Sequence, residues 1–302
     1  MSLTRVDQQH LAGAHLARSH AVVEEQPPAG DDQRHGDRVA VLGHALAGLQ
    51  TQADDTHRPA VRDLFETEGS RLLTDVRTRH VNIIHATGVE GARRARGTVV
   101  VIDVLRSFTV SAYALAGGAR ECLLVRSVTE ARALADRTEG AVICAEEDAL
   151  PVEGIPLSNS PTMVRELDLR GRVLIQRSTA GTQVAAAASG DDIFAASLVV
   201  ARATVQACLS KKPGTLTLVA SADHPEDHAC ASYMEALIGG QSPDLEALLA
   251  PLRRSERYLR ALSGTWPGFP PTDLELALRG DVFDFAMPVA RDAGYLRLHA
   301  SF

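Results

Sequence analysis

The chain is 302 residues long, 45% hydrophobic and 23% charged, and its 31 Lys plus Arg against 38 Asp plus Glu give a net charge of -7. That is room for one large or two ordinary domains with an ordinary globular composition, which excludes a wholly disordered chain, a collagen-like repeat and a disulfide miniprotein. A mildly acidic chain lacks the basic field that nucleic acid binding draws on, so no nucleic acid partner is expected.

Residues 1–77 differ from the rest. They hold six of the eleven histidines, one aromatic (Phe65) of the twelve, and no strand-like run. With the linker-like stretch QPPAGDDQRHGDR, they are expected to form a flexible or non-native N-terminal extension ahead of a folded domain over 78–302. The first twenty residues lack the apolar core of a signal peptide. No run of about 18 uncharged apolar residues occurs, so no membrane span is expected. Four scattered cysteines, at 122, 144, 208 and 230, suit neither a disulfide scaffold nor a zinc site. They read as reduced buried thiols of a cytoplasmic protein.

From about residue 80 the pattern becomes alternating strands and helices. TVVVIDV (98–104) is a continuous apolar run rich in Val and Ile, as a strand buried on both faces requires. SFTVSAYALAGG follows at helical spacing and closes on Gly117–Gly118. ECLLV (121–125), AVICAEE (141–147), RVLIQRS (172–178), DIFAAS (192–197) and TLTLVAS (215–221) read as strands. VTEARALADR (128–137), TQVAAAASG (182–190), VVARATVQACL (199–209) and EDHACASYMEALI (226–238) read as helices between and after them. The last third is expected to be helical and polar, ending in short apolar pieces such as VFDFAMPVA and GYLRLHA. The alternation predicts a three-layer α/β/α fold with a largely parallel sheet, a mixed sheet being left open.

In such a sheet, ligands collect beyond the carboxyl ends of the strands, near helix N-termini. Asp103 ends the first apolar run, where a carboxylate is costly unless it binds a metal, pairs with Arg106 or caps a helix. Glu146-Glu147-Asp148 puts three acids in a row, relieved by solvent or by a divalent cation. Ser158, Asn159 and Ser160 before Pro161 suit the first turn of a helix. In QRSTAGTQ (176–183), Arg177, Ser178, Thr179, Gly181 and Thr182 lead into an Ala-rich helix, which suits a phosphate cradle or a plain N-cap. Asp223 with Glu226 fits a capping box. His224 and His228 are four apart, but Pro225 breaks the zinc-binding HExxH pattern, leaving a hard-cation site through Glu226 or Asp227 as the alternative.

Taken in order, DVLRSFT, ALAGGA, LSNSP, RSTAGT and HPEDHAC resemble the 2-phosphosulfolactate phosphatase family, from about Val81 to the C-terminus. The resemblance implies a magnesium-dependent phosphatase that converts 2-phosphosulfolactate to 3-sulfolactate and phosphate. Carried onto this chain, it implies Asp103, Arg106, Asn159, Ser160, Thr179, Gly181, Thr182, Glu226 and Asp227 as site residues. One departure is Ala180, which stands where the family has Asn.

On that footing Asp103 and Arg106 are the expected catalytic residues. Asn159, Ser160, Arg177, Ser178, Thr179, Gly181 and Thr182 are expected to bind substrate, and Asp103, Glu146, Glu226 and Asp227 to hold Mg²⁺. Whether water or an Asp attacks phosphorus is left open; the haloacid dehalogenase route wants a second Asp where Leu105 stands. The expected partner is a small phosphate ester, with a homodimer left open. The alternative is a non-catalytic protein of the same fold that binds a phosphorylated or sulfonated metabolite. A nucleotide-binding oxidoreductase lacks its GxGxxG fingerprint after the first strand.

Overall fold

A computed structural model describes residues 81–302. The N-terminal extension expected over 1–77 lies outside the described residues. The elements run β1 (Asn82–Thr87), α1 (Gly88–Arg94), β2 (Thr98–Ile102), α2 (Ser107–Ala116), β3 (Glu121–Val125), α3 (Val128–Ala135), β4 (Ala141–Glu147), β5 (Leu150–Pro151), α4 (Pro161–Arg165) and β6 (Val173–Arg177). They continue with α5 (Gly181–Ala187), β7 (Asp192–Ala196), α6 (Ala201–Ser210), β8 (Thr215–Ala220), α7 (Pro225–Ile238), α8 (Leu245–Arg253), α9 (Glu256–Leu262), α10 (Thr272–Ala277), β9 (Met287–Asp292) and β10 (Tyr295–Leu298).

Among the described residues ten strands pair in the order β1-β8-β2-β7-β9-β10-β3-β6-β4-β5. Strands β1, β8, β2 and β7 are mutually parallel, and so are β3, β6 and β4. The β9–β10 hairpin joins the two blocks by antiparallel pairing with β7 and β3. The blocks therefore run in opposite senses, and the sheet is mixed within a three-layer α/β fold. The reversal comes from the apolar pieces at the end of the chain, which return to the middle of the sheet.

Strand β2 has no polar alternation because both of its faces are covered. Val99 and Val101 pack on one side with Phe108 and Val110 of α2 and Val184 of α5. Val100 and Ile102 pack on the other with Val205 of α6 and Cys230 and Met234 of α7. Each such side chain contributes about 1.5–3 kcal/mol of burial. The four cysteines are buried and unpaired with one another. No helix among the described residues is long and apolar enough to cross a membrane.

Helices α8 to α10 add Leu249, Leu252, Ala261 and Leu274, and the loop before α10 adds Phe269, to the second of these cores, so this segment is less polar in its role than its composition suggests. It is held locally by caps. Asp244 accepts from the Ala247 N–H at 3.2 Å, and Ser255 from the Tyr258 N–H at 3.2 Å. This docking carries Arg257, Phe269 and Asp273 across the carboxyl end of β2.

Candidate active site

The carboxyl ends of β2, β4, β6 and β8, from both parallel blocks, open onto one cavity of about 150 Å³. Asp103, Arg106, Glu146, Asn159, Ser178 and Arg257 are on its wall. A larger cleft of about 720 Å³ lies by the amino-terminal end of β7. It holds none of the candidate residues, and its Lys211 is already paired with Asp192 at 3.4 Å, so the smaller cavity is where the chemistry converges.

Asp103 follows β2 directly and is buried. Its Oδ1 accepts the Ser107 N–H at the start of α2, at 2.9 Å, while Oδ2 receives no hydrogen bond from the described residues. Burial pushes the carboxyl up to about 6; the Ser107 N–H and then the Arg257 charge oppose the shift. Gly181 allows α5 to approach this carboxylate, since an added Cβ would sit 2.5 Å from Oδ2 and 2.8 Å from Ser107 Cβ.

Two neighbouring carboxylates are tied down by the protein itself. Asp227 accepts the Val104 N–H at 2.8 Å on Oδ1 and the Ser221 hydroxyl at 2.9 Å on Oδ2. Burial, then the charges of Asp103 and Glu226, raise its pKa well above the usual carboxylate range. Glu146 accepts the Thr179 N–H at 2.5 Å on Oε1, and on Oε2 the Ala149 N–H at 2.6 Å and the Thr179 hydroxyl at 3.0 Å. Glu226 is fully buried, with Oε1 2.9 Å from Arg257 Nε and Oε2 without a partner among the described residues.

Arg106 does not pair with Asp103. Its Nη1 donates to the Gly268 carbonyl at 2.6 Å and to Asp273 Oδ2 at 2.7 Å, and its guanidinium lies 4.0 Å over the Phe269 ring. The rest of the planar group lines the cavity. Gly268 takes φ +68, and an added Cβ there would meet Pro151 Cγ at 2.6 Å. Burial lowers the Arg106 pKa, opposed by the Asp273 charge. His224 also lines the cavity, and burial, then the Arg257 charge, lower its pKa, which favours the neutral imidazole.

Strand ends that converge on a cavity with a free carboxylate oxygen and arginine donors agree with the motif order, and the comparison with known proteins is direct. The 2-phosphosulpholactate phosphatase family model matches residues 85–261. The chain belongs to this family. A probable 2-phosphosulfolactate phosphatase of Bacillus subtilis (strain 168) is 31% identical over 198 residues, covering 64% of this chain and 87% of that protein. A similarly named protein of Thermotoga petrophila is 37% identical over 115 residues, 38% of this chain and 50% of that one. One from Carboxydothermus hydrogenoformans is 35% identical over 147 residues, 47% of this chain and 61% of that one. The match thus spans most of the Bacillus protein and half of the Thermotoga one.

Within this 2-phosphosulfolactate phosphatase relative, the structure sorts the expected residues. Asp103, Arg106, Glu146, Asn159, Ser178 and Thr179 reach the cavity. Ser160 does not: its Oγ caps α4, accepting the Met163 N–H at 3.3 Å, and donates to Asp273 Oδ1 at 2.7 Å. Arg177 turns to the Glu146 carbonyl and lies 3.8 Å from Glu147, away from the cavity. Thr182 donates to the Ser178 carbonyl at 2.8 Å, closing the first turn of α5. Gly181 acts by its lack of a side chain. The capping box expected from Asp223 and Glu226 is absent, because Asp223 bonds His228 at 2.8 Å and Glu226 bonds Arg257.

The four-carboxylate metal set is not assembled as such. Among the described residues no three His, Cys, Asp or Glu side chains are disposed to hold a metal ion. Glu146 and Asp227 have both oxygens on N–H or O–H donors, and Glu226 faces Arg257. The set fits Mg²⁺ in a leaner form, since that ion usually takes one or two carboxylates together with waters and substrate phosphate. Asp103 is the buried carboxylate on the cavity wall with an oxygen, Oδ2, that takes no hydrogen bond from the described residues and remains open for it.

Sequence reasoning missed Arg257, His224 as a wall residue, Phe269, Asp273 and Gln176. Gln176 was visible as a polar residue inside a strand buried on both faces, a pattern that demands partners. The others are single residues of loops and helices with no local signature.

Proposed function

We propose that the chain hydrolyses the phosphate monoester of a small acid, 2-phosphosulfolactate giving 3-sulfolactate and phosphate, at the cavity around Asp103. The observation that carries this reading is the open Oδ2 of Asp103, set among anion donors where the strand ends of both blocks meet. The phosphatase reading also rests on family membership and on the names of the relatives.

A phosphate monoester is dianionic, and hydrolysis needs charge neutralisation and in-line attack. The carboxylates of Asp103, Glu146, Glu226 and Asp273 outnumber the cations of Arg106 and Arg257 around the cavity. An anionic substrate therefore needs further positive charge. Mg²⁺ held by Asp103 would supply that charge and polarise a phosphoryl oxygen. Arg106, beyond its fixed Nη1, offers planar donors to the remaining phosphoryl oxygens or to the substrate's acid group. Asn159, Ser178 and Thr179 supply short polar contacts on the opposite wall. Arg257, fixed by Glu226 and by its 3.0 Å hydrogen bond to the Leu105 carbonyl, adds a positive charge beside Asp103. His224, neutral on the wall, is the group placed to exchange a proton with water. Phe269, stacked 5.2 Å from Trp266, gives the cavity an apolar side that limits water.

The test is phosphate release from a panel of small phosphorylated acids, with Mg²⁺ and with EDTA. The expected result is Mg²⁺-dependent release, greatest for a substrate that carries a second anionic group. Binding without release across the panel would favour the non-catalytic metabolite-binding protein.

A further inference from the structure

The polarity of one buried hydrogen-bond network settles which way Asn159 presents its amide to the cavity. Gln176 lies in β6 and is fully buried. One end of its side chain is 2.8 Å from the Ser107 carbonyl oxygen, which only accepts, so that end is the NH₂ group. Oε1 must then be the other end, and it receives the Ser111 hydroxyl at 2.6 Å. The same NH₂ group lies 2.8 Å from Asn159, so the Asn159 atom facing it is Oδ1. By elimination the Asn159 NH₂ is turned away from the network, and Asn159 lines the cavity.

We propose that Gln176 is a positioning residue for the phosphoester site: through Ser111 and Ser107 it fixes Asn159 so that its NH₂ donates to an oxygen of the bound phosphate. The inference rests on the phosphatase reading and deepens it. Without Gln176 the Asn159 amide can rotate by half a turn and offer Oδ1, an acceptor, to an anion. Ala180, also on the wall, brings only a methyl group and cannot replace this amide donor. Gln176 also reaches the α2 N-terminus through Ser107, whose N–H holds Asp103. The network thus joins the DVLRS, SNSP and RSTAGT segments through one side chain that touches no substrate.

The experiment is a double-mutant cycle on the affinity for inorganic phosphate, measured by calorimetry in the presence of Mg²⁺ on the full chain. Asn159→Ala is expected to weaken phosphate binding by about ten- to a hundredfold, the range of one hydrogen bond to a charged group. Gln176→Leu is expected to weaken it nearly as much, and the double variant no more than Asn159→Ala alone. A residue that merely supports the fold would give losses that multiply. Because Gln176→Leu takes a partner from three buried groups, the Ser107 carbonyl, the Ser111 hydroxyl and Asn159 Oδ1, and can fail to fold, Gln176→Glu is the second variant. Ionised, the new carboxylate can only accept, which draws the Asn159 NH₂ inward and turns Oδ1 to the phosphate. Its affinity relative to wild type should be poor at neutral pH and recover on acidification, as the carboxyl gains a donor proton. Multiplying losses, phosphate affinity in Gln176→Leu equal to wild type, or affinity in Gln176→Glu equal to wild type even at alkaline pH, where a buried carboxyl with a raised pKa is ionised, overturns the proposal. A wild-type chain that binds phosphate yet hydrolyses no ester counts against the phosphatase reading alone, because the cycle is read without turnover.

Discussion

Arg106 is bound to Asp273, 167 positions along the chain, through a 2.7 Å ion pair in which both side chains are almost wholly buried. Asp273 also receives the Ser160 hydroxyl and the Thr162 N–H, at 2.7 and 3.0 Å. One carboxylate thus fastens the arginine of the first motif, the cap of α4 and the segment that covers the site. The arginine serves the fold through Nη1 and the cavity through the rest of its guanidinium.

That double duty gives a split outcome. Arg106→Ala leaves Asp273 buried and unpaired, a loss expected at about 3–5 kcal/mol, and should lower both the melting temperature and kcat/KM. Asp273→Asn keeps acceptors for Ser160 and Thr162 but removes the charge. It should lower the melting temperature while changing kcat/KM of the folded protein far less than Arg106→Ala does. Equal kinetic losses in the two variants would mean that Arg106 acts only through its place in the fold.

The Asp103 carboxyl predicts a pH dependence of stability. Its folded value of about 6 lies above the 3.8 of an unperturbed aspartate, so between these the native state holds more proton than the unfolded chain. Stability therefore falls as pH rises through roughly 4 to 6. Asp103→Asn removes this decline and should raise stability at pH 7, in EDTA, by up to about 3 kcal/mol, the shift converted at 1.36 kcal/mol per unit. Chemical denaturation of both proteins at pH 4 and pH 7 measures it. An Asn variant that is less stable at pH 7 would show that the charged carboxylate supports the fold.

Gly181→Ala should damage the site more than its size suggests, because its Cβ would fall 2.5 Å from Asp103 Oδ2. Asp103 or the start of α5 must move. The expectation is a lower melting temperature and a loss in kcat/KM of at least about tenfold, as misplacement of a reacting group brings. Gly214→Ala, with nothing within 4 Å of the added Cβ, is the control and should stay within about 0.5 kcal/mol of wild type. Full activity in Gly181→Ala would remove Asp103 from the centre of the mechanism.

The strands that build the site were legible because both faces of β2, β3 and β6 are covered, which writes burial into continuous local runs such as TVVVI and ECLLV. The caps were legible where side chain and backbone are three residues apart, as at Ser160. Reading failed where the partner is distant. Nothing near Arg106 announces Asp273, and nothing near Glu226 announces Arg257. The β9–β10 hairpin was hidden because Pro288 and the exposed Arg291 and Asp292 interrupt its apolar character. In QRSTAGTQ the pattern of hydroxyls and glycine was real, but N-capping and phosphate binding use the same groups. The structure gives Thr182 to the helix, and places Ser178 and Thr179 on the cavity wall.

The central claim is that phosphoester hydrolysis depends on the open Asp103 oxygen and on a divalent cation held there. The most direct measurement is steady-state phosphate release from 2-phosphosulfolactate, titrated with Mg²⁺, for wild type and Asp103→Asn, with folding of both checked by their melting temperatures. The account predicts saturable Mg²⁺ activation in wild type and no activation in a variant that is folded at least as stably. Activity of Asp103→Asn near that of wild type, or wild-type release undiminished in EDTA, would contradict it.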